Sequence, residues 1–217
     1  MTLEGTNTYL VGTGPVHVID PGPAIDSHLE AIRAAATERG GIAGVLVTHS
    51  HSDHSDAVPM LDAPLLREDT GPFRAIPTPG HAADHLAFAI GEVCFCGDLV
   101  LGWGSAIVPP ASHGGSLADY MDSLGRLRSL EPSLLCPGHG PWITEPRAKL
   151  DEYVAHRRER ERKLVQALEA GERSREALLD AAWGDVPEAM RPAAAMAMEA
   201  HLESLEGDGR LAGDLSA

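Results

Sequence analysis

One short segment of the chain concentrates residues that could bind metal ions. Thr48-His-Ser-His-Ser-Asp-His54 holds three histidines and one carboxylate within six consecutive residues, His49 to His54. Residues i and i+2 of an extended segment face the same side, so His49 and His51 can bind one ion together. The chain then turns, and Asp53 and His54 can face a second ion. Imidazole and carboxylate ligands together favour zinc, with iron or manganese as alternatives.

Two ions need more ligands, and three further turns supply candidates. Each of these turns carries a glycine, which lets the backbone bend sharply at the end of a strand. The candidates are His81 in Thr78-Pro-Gly-His81, Asp98 in Cys96-Gly-Asp98, and His139 in Pro137-Gly-His-Gly140. Together with the histidine-rich loop they complete two coordination spheres.

Short β-rich runs and helical patterns alternate in the first two thirds of the chain, which predicts an α/β protein. A hairpin is expected over 8–11 and 16–19, and a buried strand over 42–47 leads directly into His49. The remaining elements are expected as strands over 63–66, 86–90, 93–96 and 134–136, and helices over 27–39 and 117–130.

The composition changes near residue 146 and predicts two domains, 1–146 and 147–217. The tail is rich in Ala, Glu and Arg, and predicts helices over 147–170, after Ser174 and over 187–205. With a small turn or wing over 207–212, this outline indicates a winged helix, a fold used for DNA binding but also for packing and dimerisation. The basic run His156-Arg-Arg-Glu-Arg-Glu-Arg-Lys163 is interpreted as a solvated helix face with ion pairs. The alternative is a grip on phosphates.

Composition limits the partners. Among 217 residues, 17 are Lys or Arg and 32 are Asp or Glu, and the net charge of −15 counts against non-specific nucleic-acid binding. No run approaches the ~18 apolar residues of a membrane span, and the N-terminus lacks a signal-peptide pattern, so a cytoplasmic protein without membrane contact is expected. The three cysteines, Cys94, Cys96 and Cys136, are expected as buried reduced thiols.

The order of the candidate ligands resembles the metallo-β-lactamase superfamily, whose pattern is HxHxDH followed by His, Asp and His. The resemblance implies an αββα sandwich with a dinuclear site at one edge. It implies that Asp20 steadies the site. His85 lies only four residues past His81 and could compete with it as a ligand, but the Pro-Gly-His context favours His81, so His85 is expected behind a ligand or on the substrate side. The implied ligands are His49, His51 and His81 for the first ion, Asp53, His54 and His139 for the second, and Asp98 as a bridge.

Further motifs are similar to the lactamase-beta-2-like branch of that superfamily. They are Gly5-Thr-Asn-Thr-Tyr-Leu-Val-Gly12, Gly97-Asp-Leu-Val-Leu-Gly102, Leu117-Ala-Asp-Tyr-Met-Asp-Ser-Leu124 and Pro137-Gly-His-Gly-Pro141. The tail also resembles the C-terminal winged helix of this branch, so the similarity covers nearly the whole chain.

What the resemblance implies is a dinuclear metal-dependent hydrolase in which a hydroxide bridging two Zn²⁺ ions attacks a small ester or thioester. Asp53 would orient the hydroxide and pass a proton to the leaving group, and Asp98 would fix the metal spacing. Substrate contacts are expected near Asn7, Trp103 and His113. Two alternatives stay open: a single-strand endoribonuclease, with RNA as partner, and a non-catalytic winged-helix binding protein with a metal site. A homodimer is a further alternative.

Overall fold

Residues 5–210 are described by a computed structural model. The N-terminal part forms a four-stranded sheet in the order β1-β2-β3-β4. The strands are β1 (Tyr9–Val11), β2 (Val16–Ile19), β3 (Ile42–Leu46) and β4 (Leu65–Leu66). β1 and β2 form the predicted antiparallel hairpin, while β3 runs parallel to β2 and to β4. Helix α1 (Asp26–Thr37) makes the parallel crossover from β2 to β3, and the single turn α2 (Ser52–Ser55) follows β3.

A second sheet has the order β5-β6-β7-β8. Its strands are β5 (Arg74–Pro77), β6 (Leu86–Ile90), β7 (Val93–Gly97) and β8 (Leu134–Pro137). The first three are antiparallel neighbours, and β8 lies parallel to β7. Helix α3 (Leu117–Arg128) connects β7 to β8, and the hydroxyl of Ser116 accepts a hydrogen bond from the Asp119 N–H at its start. β5 was not expected from the sequence.

The two sheets pack face to face, with helices on both outer faces. Buried side chains from both sheets, including Ile19, Leu46, Phe88 and Phe95, form one cluster between them. α1 packs on the outer face of the first sheet, and α3 and the start of the next helix cover the second sheet. This arrangement confirms the predicted α/β metallo-β-lactamase architecture. The three cysteines are reduced and buried, as expected.

The described part of the tail, up to Arg210, contains helices and no strand. They are α4 (Pro146–Glu169), α5 (Arg175–Trp183) and α6 (Arg191–Gly207), with one short 3₁₀ turn (Glu188–Met190) before α6. α4 is shared between two cores, because Leu150 and Tyr153 pack on the second sheet whereas Leu164 packs among the tail helices. The predicted wing over 207–212 lies partly outside the described residues, so the winged helix and the two-domain division stay predictions. None of the described helices is both long and apolar enough to cross a membrane.

The interpretation of the basic run as a solvated face is wrong for two of its arginines. Arg157 and Arg160 are only 3% and 7% exposed. The Arg157 guanidinium donates to the Ala106 carbonyl and to Ser105 Oγ (3.0 Å) and lies over the Tyr120 ring. Arg160 pairs with Asp185 and lies over the ring of Trp183. Long side chains bury readily when their charged ends find partners, and neither arginine is placed to grip a phosphate on the surface.

Candidate metal centre

Three histidine side chains lie close together near the end of β3. His49 and His51 belong to the loop after β3, and His81 belongs to the turn after β5. Nε2 of His49 lies 2.9 Å from Nδ1 of His51, and Nε2 of His81 lies 3.1 Å from that same atom. His49 and His81 are buried, whereas His51 is exposed at the rim. These three nitrogens face one another as the ligands of one cation would.

A second group lies beside the first. Nε2 of His139 is 3.2 Å from Oδ2 of Asp53, and Nε2 of His54 is 3.7 Å from it. Asp98 lies between the two groups: its Oδ2 is 3.4 Å from Nε2 of His139 and 3.8 Å from Nε2 of His81. Its Oδ1 is 3.5 Å from Nε2 of His54. The structure therefore brings together all seven residues expected as ligands, with the carboxylate of Asp98 in the middle.

Hydrogen bonds on the far side of four rings determine which nitrogen is free. Nδ1 of His54 lies 3.0 Å from Asp20, Nδ1 of His81 lies 2.7 Å from the Ile107 carbonyl, and Nδ1 of His139 lies 2.9 Å from the Gly5 carbonyl. The Thr48 hydroxyl donates to Asp20 and so accepts from Nδ1 of His49 (3.0 Å). Because Nδ1 of each ring faces its own hydrogen-bond partner, the four Nε2 atoms point inward and are the nitrogens available to a metal ion, an arrangement typical of metal-binding histidines.

Two buried atoms at the centre of the cluster lack any hydrogen-bond partner among residues 5–210. They are Nε2 of His54 and Oδ1 of Asp98. Gly138 packs against both residues, since a Cβ there would lie 2.4 Å from Oδ1 of Asp98 and 2.6 Å from Cε1 of His54. Buried polar atoms are rarely left without partners, and a divalent cation between them would satisfy both. The residues present fit a metal centre.

Asp20 supports the centre from behind. Its carboxylate accepts hydrogen bonds from the Thr48 N–H (2.7 Å) and hydroxyl (2.8 Å) and from Nδ1 of His54. Asp20 is 2% exposed and follows β2 with a left-handed backbone, φ +50°. The turn at the end of β2 thereby fixes the orientation of two histidine rings in the neighbouring loop.

The charge state of the site follows from burial and from its carboxylates. Burial and the neighbouring rings of His85 and His54 lower the pKa of His49, which keeps that imidazole neutral. Burial opposes protonation of His54, but Asp20 and Asp98 outweigh it and raise its pKa to about 10. The pKa of His139 is likewise raised to about 10, because Asp53 and Asp98 outweigh its burial. The negative electrostatic potential of these carboxylates, which favours a second proton on His54 and His139, also favours a metal cation in its place.

Unlike the neighbouring candidate ligands, His85 has no ring nitrogen available to a metal ion. Its Nε2 accepts a hydrogen bond from the Asp98 N–H (3.2 Å), so its proton is on Nδ1, which lies 2.8 Å from the Thr78 hydroxyl. Burial lowers the pKa of His85 to about 3 and keeps the ring neutral. Both nitrogens are engaged, which places His85 behind Asp98 and not on the substrate side.

Five of the seven candidate ligands form the floor of a cavity of about 360 Å³: His51, Asp53, His81, Asp98 and His139. His113 lines it, as expected for a substrate contact. Asn7 does not, since its amide donates to the carbonyls of Pro137 (3.0 Å) and Gly140 (2.7 Å) and holds the turn that carries His139. Trp103 is 51% exposed and is not part of the wall.

Several wall residues were not anticipated from the sequence. They come from the segment after β7 and from the tail: Leu101, Ser105, Ala106, Ile107, Pro109, Met190 and Met196. A larger groove of about 510 Å³, between α3 and α4, contains none of the candidate ligands.

Comparison with known proteins agrees with this geometry. The family model of the metallo-beta-lactamase superfamily matches residues 1–63 and 56–139. The Beta-lactamase-like protein 2 homolog of Drosophila melanogaster is 31% identical, over 97% of this chain and 85% of its own length. A metallo-beta-lactamase family protein from Thermus thermophilus is similar in fold, with a TM-score of 0.75 and 24% identity, over 94% of this chain and 89% of that one.

A further solved structure, TTHA1623 in a di-iron-bound form, has a TM-score of 0.54 and 30% identity, over 64% of this chain and 89% of its own. The matched family model covers the histidine-rich loop and every other candidate ligand. The chain belongs to the metallo-β-lactamase superfamily of hydrolases, and within it to the lactamase-beta-2-like branch.

Proposed function

We propose that this chain is a dinuclear metal-dependent hydrolase of small ester or thioester substrates. The observation that carries the proposal is the convergence of inward-facing histidine nitrogens and two carboxylates at the floor of one cavity. His49, His51 and His81 would hold one ion, and Asp53, His54 and His139 the other. Asp98, whose Oδ1 lies near His54 and whose Oδ2 lies near both His81 and His139, would bridge them.

Two divalent ions in this position would supply the Lewis acidity that activates water and polarises a substrate carbonyl. The side chains have separate tasks around that chemistry. Asp53 lines the cavity and is half-buried, and its hydrogen bond with His139 holds the pKa of its carboxyl below the usual range. It therefore stays an acceptor, able to orient water and to carry a proton to the leaving group. Asp98, buried and ionised, would fix the spacing of the two groups.

Zinc is the metal we propose first. Four of the five histidines present Nε2 to the centre with the opposite nitrogen already hydrogen-bonded, and histidine nitrogens combined with carboxylate oxygens are the ligands that catalytic zinc sites use. Iron is the alternative, since the similar protein TTHA1623 was solved in a di-iron-bound form.

The surroundings favour a small acyl substrate over RNA. The cavity wall contributed by Leu101, Ile107, Pro109 and Met190 is largely apolar. A net charge of −15 repels a phosphate backbone, and the buried Arg157 and Arg160 are not available to counter it.

The test reconstitutes the full chain with Zn²⁺ or, anaerobically, with Fe²⁺. Hydrolysis of p-nitrophenyl acetate, of an acetyl thioester and of a labelled unstructured RNA is then measured. Asp98→Ala is the test variant, and Asp122→Ala, which removes an exposed carboxylate of α3, is the matched control. We expect metal-dependent ester or thioester hydrolysis that Asp98→Ala loses and Asp122→Ala keeps.

Cleavage of RNA alone, lost in Asp98→Ala, would replace the proposal by an endoribonuclease. Metal binding without hydrolysis of any of the three substrates would instead indicate the non-catalytic binding protein.

A further inference from the structure

The turn after β2 has an uncommon backbone conformation at the residue that supports the metal centre. Asp20 is left-handed, φ +50°, which is unusual for a residue other than glycine and persists only where the surrounding structure holds it. Its carboxylate is held by Thr48 and His54, and its N–H donates to the Leu46 carbonyl at 2.9 Å. The carbonyl of Asp20 accepts from a residue outside the metal centre.

Thr8, directly before β1, supplies that hydrogen bond. Its hydroxyl donates to the Asp20 carbonyl at 2.7 Å. Because a hydroxyl has a single proton, the contact of Thr8 Oγ1 with Nε2 of His28 (3.0 Å) is a hydrogen bond that the histidine donates. His28 belongs to α1. Three segments that are distant in sequence therefore meet behind Asp20.

Gly22 packs against the same two side chains. A Cβ at this position, φ +80°, would lie 3.3 Å from Nε2 of His28 and 3.7 Å from Oγ1 of Thr8. The Gly22 N–H donates to the His54 carbonyl (3.2 Å), and its carbonyl accepts from the Ala57 N–H (3.1 Å). The turn 20–22 thus contacts Thr8 and His28 on one side and the loop of candidate ligands on the other.

We propose that Thr8 and His28 are positioning residues of the metal centre, which hold the left-handed turn so that the Asp20 carboxylate reaches its partners. This carboxylate orients one candidate ligand of each group, His54 directly and His49 through a threonine hydroxyl. Both groups should therefore depend on the two residues. The inference rests on the metal centre of the proposed function and is independent of which substrate is hydrolysed.

The first test measures the affinity of the full chain for Zn²⁺ by competition with a chromogenic chelator. Thr8→Val keeps the shape of the side chain and removes its hydrogen bonds. We expect affinity for both ions to fall about tenfold, the low end of the effect of losing a group that orients a ligand. Thr8→Ser restores the hydroxyl and should bring the affinity back to within about twofold of the wild type. Thr37→Val is the matched control, because it removes a similar hydrogen bond, 2.7 Å to the Arg33 carbonyl, at the C-terminal end of α1.

A second pair of variants tests His28. His28→Leu removes the donor to Thr8 and should lower the zinc affinity about threefold, a smaller effect because Thr8 keeps its hydrogen bond to Asp20. His28→Gln, whose amide nitrogen can replace Nε2 as donor, should recover the affinity. Thermal melts of every variant show that the fold is retained.

A double variant separates positioning from a general effect on the structure. Asp20→Gly removes the carboxylate and lets the turn adopt φ +50° without support. In this background Thr8→Val has no carboxylate to displace and should lower the zinc affinity no further, since residues that act through one another have non-additive effects. An equal loss in both backgrounds would show that Thr8 does not act through Asp20, and would overturn the proposal.

The remaining outcomes separate this inference from the proposed function. Full zinc affinity in Thr8→Val, or a loss that Thr8→Ser does not restore, would overturn the positioning role and leave the hydrolase in place. Zinc binding that responds to the Thr8 and His28 variants, without hydrolysis of any substrate, would support the positioning role and overturn the hydrolase. A wild type that binds no zinc would overturn both.

Discussion

Arg157 and His81 hold neighbouring carbonyls of the same segment. The Arg157 guanidinium donates to the Ala106 carbonyl, and Nδ1 of His81 donates to the Ile107 carbonyl at 2.7 Å. One residue belongs to tail helix α4 and the other to the candidate metal centre. The tail is therefore connected to the orientation of a candidate ligand through two consecutive peptide groups.

Replacement of Arg157 tests this connection. In Arg157→Met, the Ala106 carbonyl and the Ser105 hydroxyl lose a buried donor, and an unsatisfied buried polar group costs about 1–3 kcal/mol. We expect urea denaturation to show a free energy of unfolding lower by about 2–5 kcal/mol, together with weaker binding of one metal ion. Arg158→Met, at the exposed neighbouring position, is the control. Unchanged metal binding in a destabilised Arg157→Met would show that the connection does not reach His81.

Asp20→Asn is expected to weaken metal binding without changing the backbone. Asparagine tolerates the left-handed conformation at this position, φ +50°. It removes the negative charge that accepts from Nδ1 of His54 and from Thr48. Loss of such a supporting carboxylate typically lowers metal affinity about 10–100-fold. Competition with a chromogenic chelator measures the affinity, and Asp56→Asn, an exposed carboxylate just after α2, should behave as the wild type.

Gly138→Ala should damage the centre through a steric effect. The added methyl group would lie 2.4 Å from Oδ1 of Asp98, so the carboxylate has to move away from its present position. We expect metal affinity to fall by at least about tenfold, because a displaced ligand no longer matches the required geometry. Gly125→Ala in α3 has open space around the new methyl group and is the control. It should raise stability by about 0.5–1 kcal/mol, as expected for alanine in a helix. Full metal affinity in Gly138→Ala would contradict the tight packing of this turn against Asp98.

The lowered pKa of the buried His201, a residue of α6 outside the metal centre, should make the stability of the fold depend on pH. Burial lowers its pKa from 6.5 to about 4, although its contacts with the carbonyls of Ala197 and Arg157 oppose the shift. Between pH 6.5 and about 4 the unfolded chain therefore binds a proton at His201 that the folded chain does not. Stability falls as the pH falls through this window, by up to about 3 kcal/mol for this group.

Replacement of His201 isolates that contribution. His201→Gln keeps a hydrogen-bonding side chain and does not titrate, so its stability should depend less steeply on pH. Urea denaturation at several pH values measures the gap between wild type and variant, which should shrink from pH 6.5 to about 4. A constant gap over that range would show that His201 does not titrate as expected.

Sequence patterns predicted the parts of the fold and of the site that depend on local spacing. Every candidate ligand was predicted from such patterns: the buried strand ahead of His49, and the Pro-Gly-His and Gly-Asp turns at the ends of strands. These patterns suffice because side chains at strand ends meet at one edge of a sheet. β5 was missed, since Arg74-Ala-Ile-Pro77 is short, lacks alternation and ends in proline. Its edge position beside β6 is a tertiary property.

The tail shows where charge patterning alone misleads. Arg157 and Arg160 were expected to be solvated, but α4 lies between two cores, and the aromatic rings of Tyr120 and Trp183 and acceptors distant in sequence make burial favourable. Met190 and Met196 could not be assigned to the cavity wall from the sequence either, because their position also depends on contacts between segments that are distant in sequence. They reach it only because α6 and the turn before it pack beside the segment 105–109.

The number of metal ions that each chain retains decides whether the centre is dinuclear. The full chain is reconstituted with Zn²⁺, dialysed, and measured by mass spectrometry of the metal together with protein concentration, beside Asp98→Ala. We expect two ions per chain in the wild type and one or none in Asp98→Ala. A wild type that retains one ion or none, or an Asp98→Ala variant that retains two, would contradict a dinuclear centre bridged by Asp98.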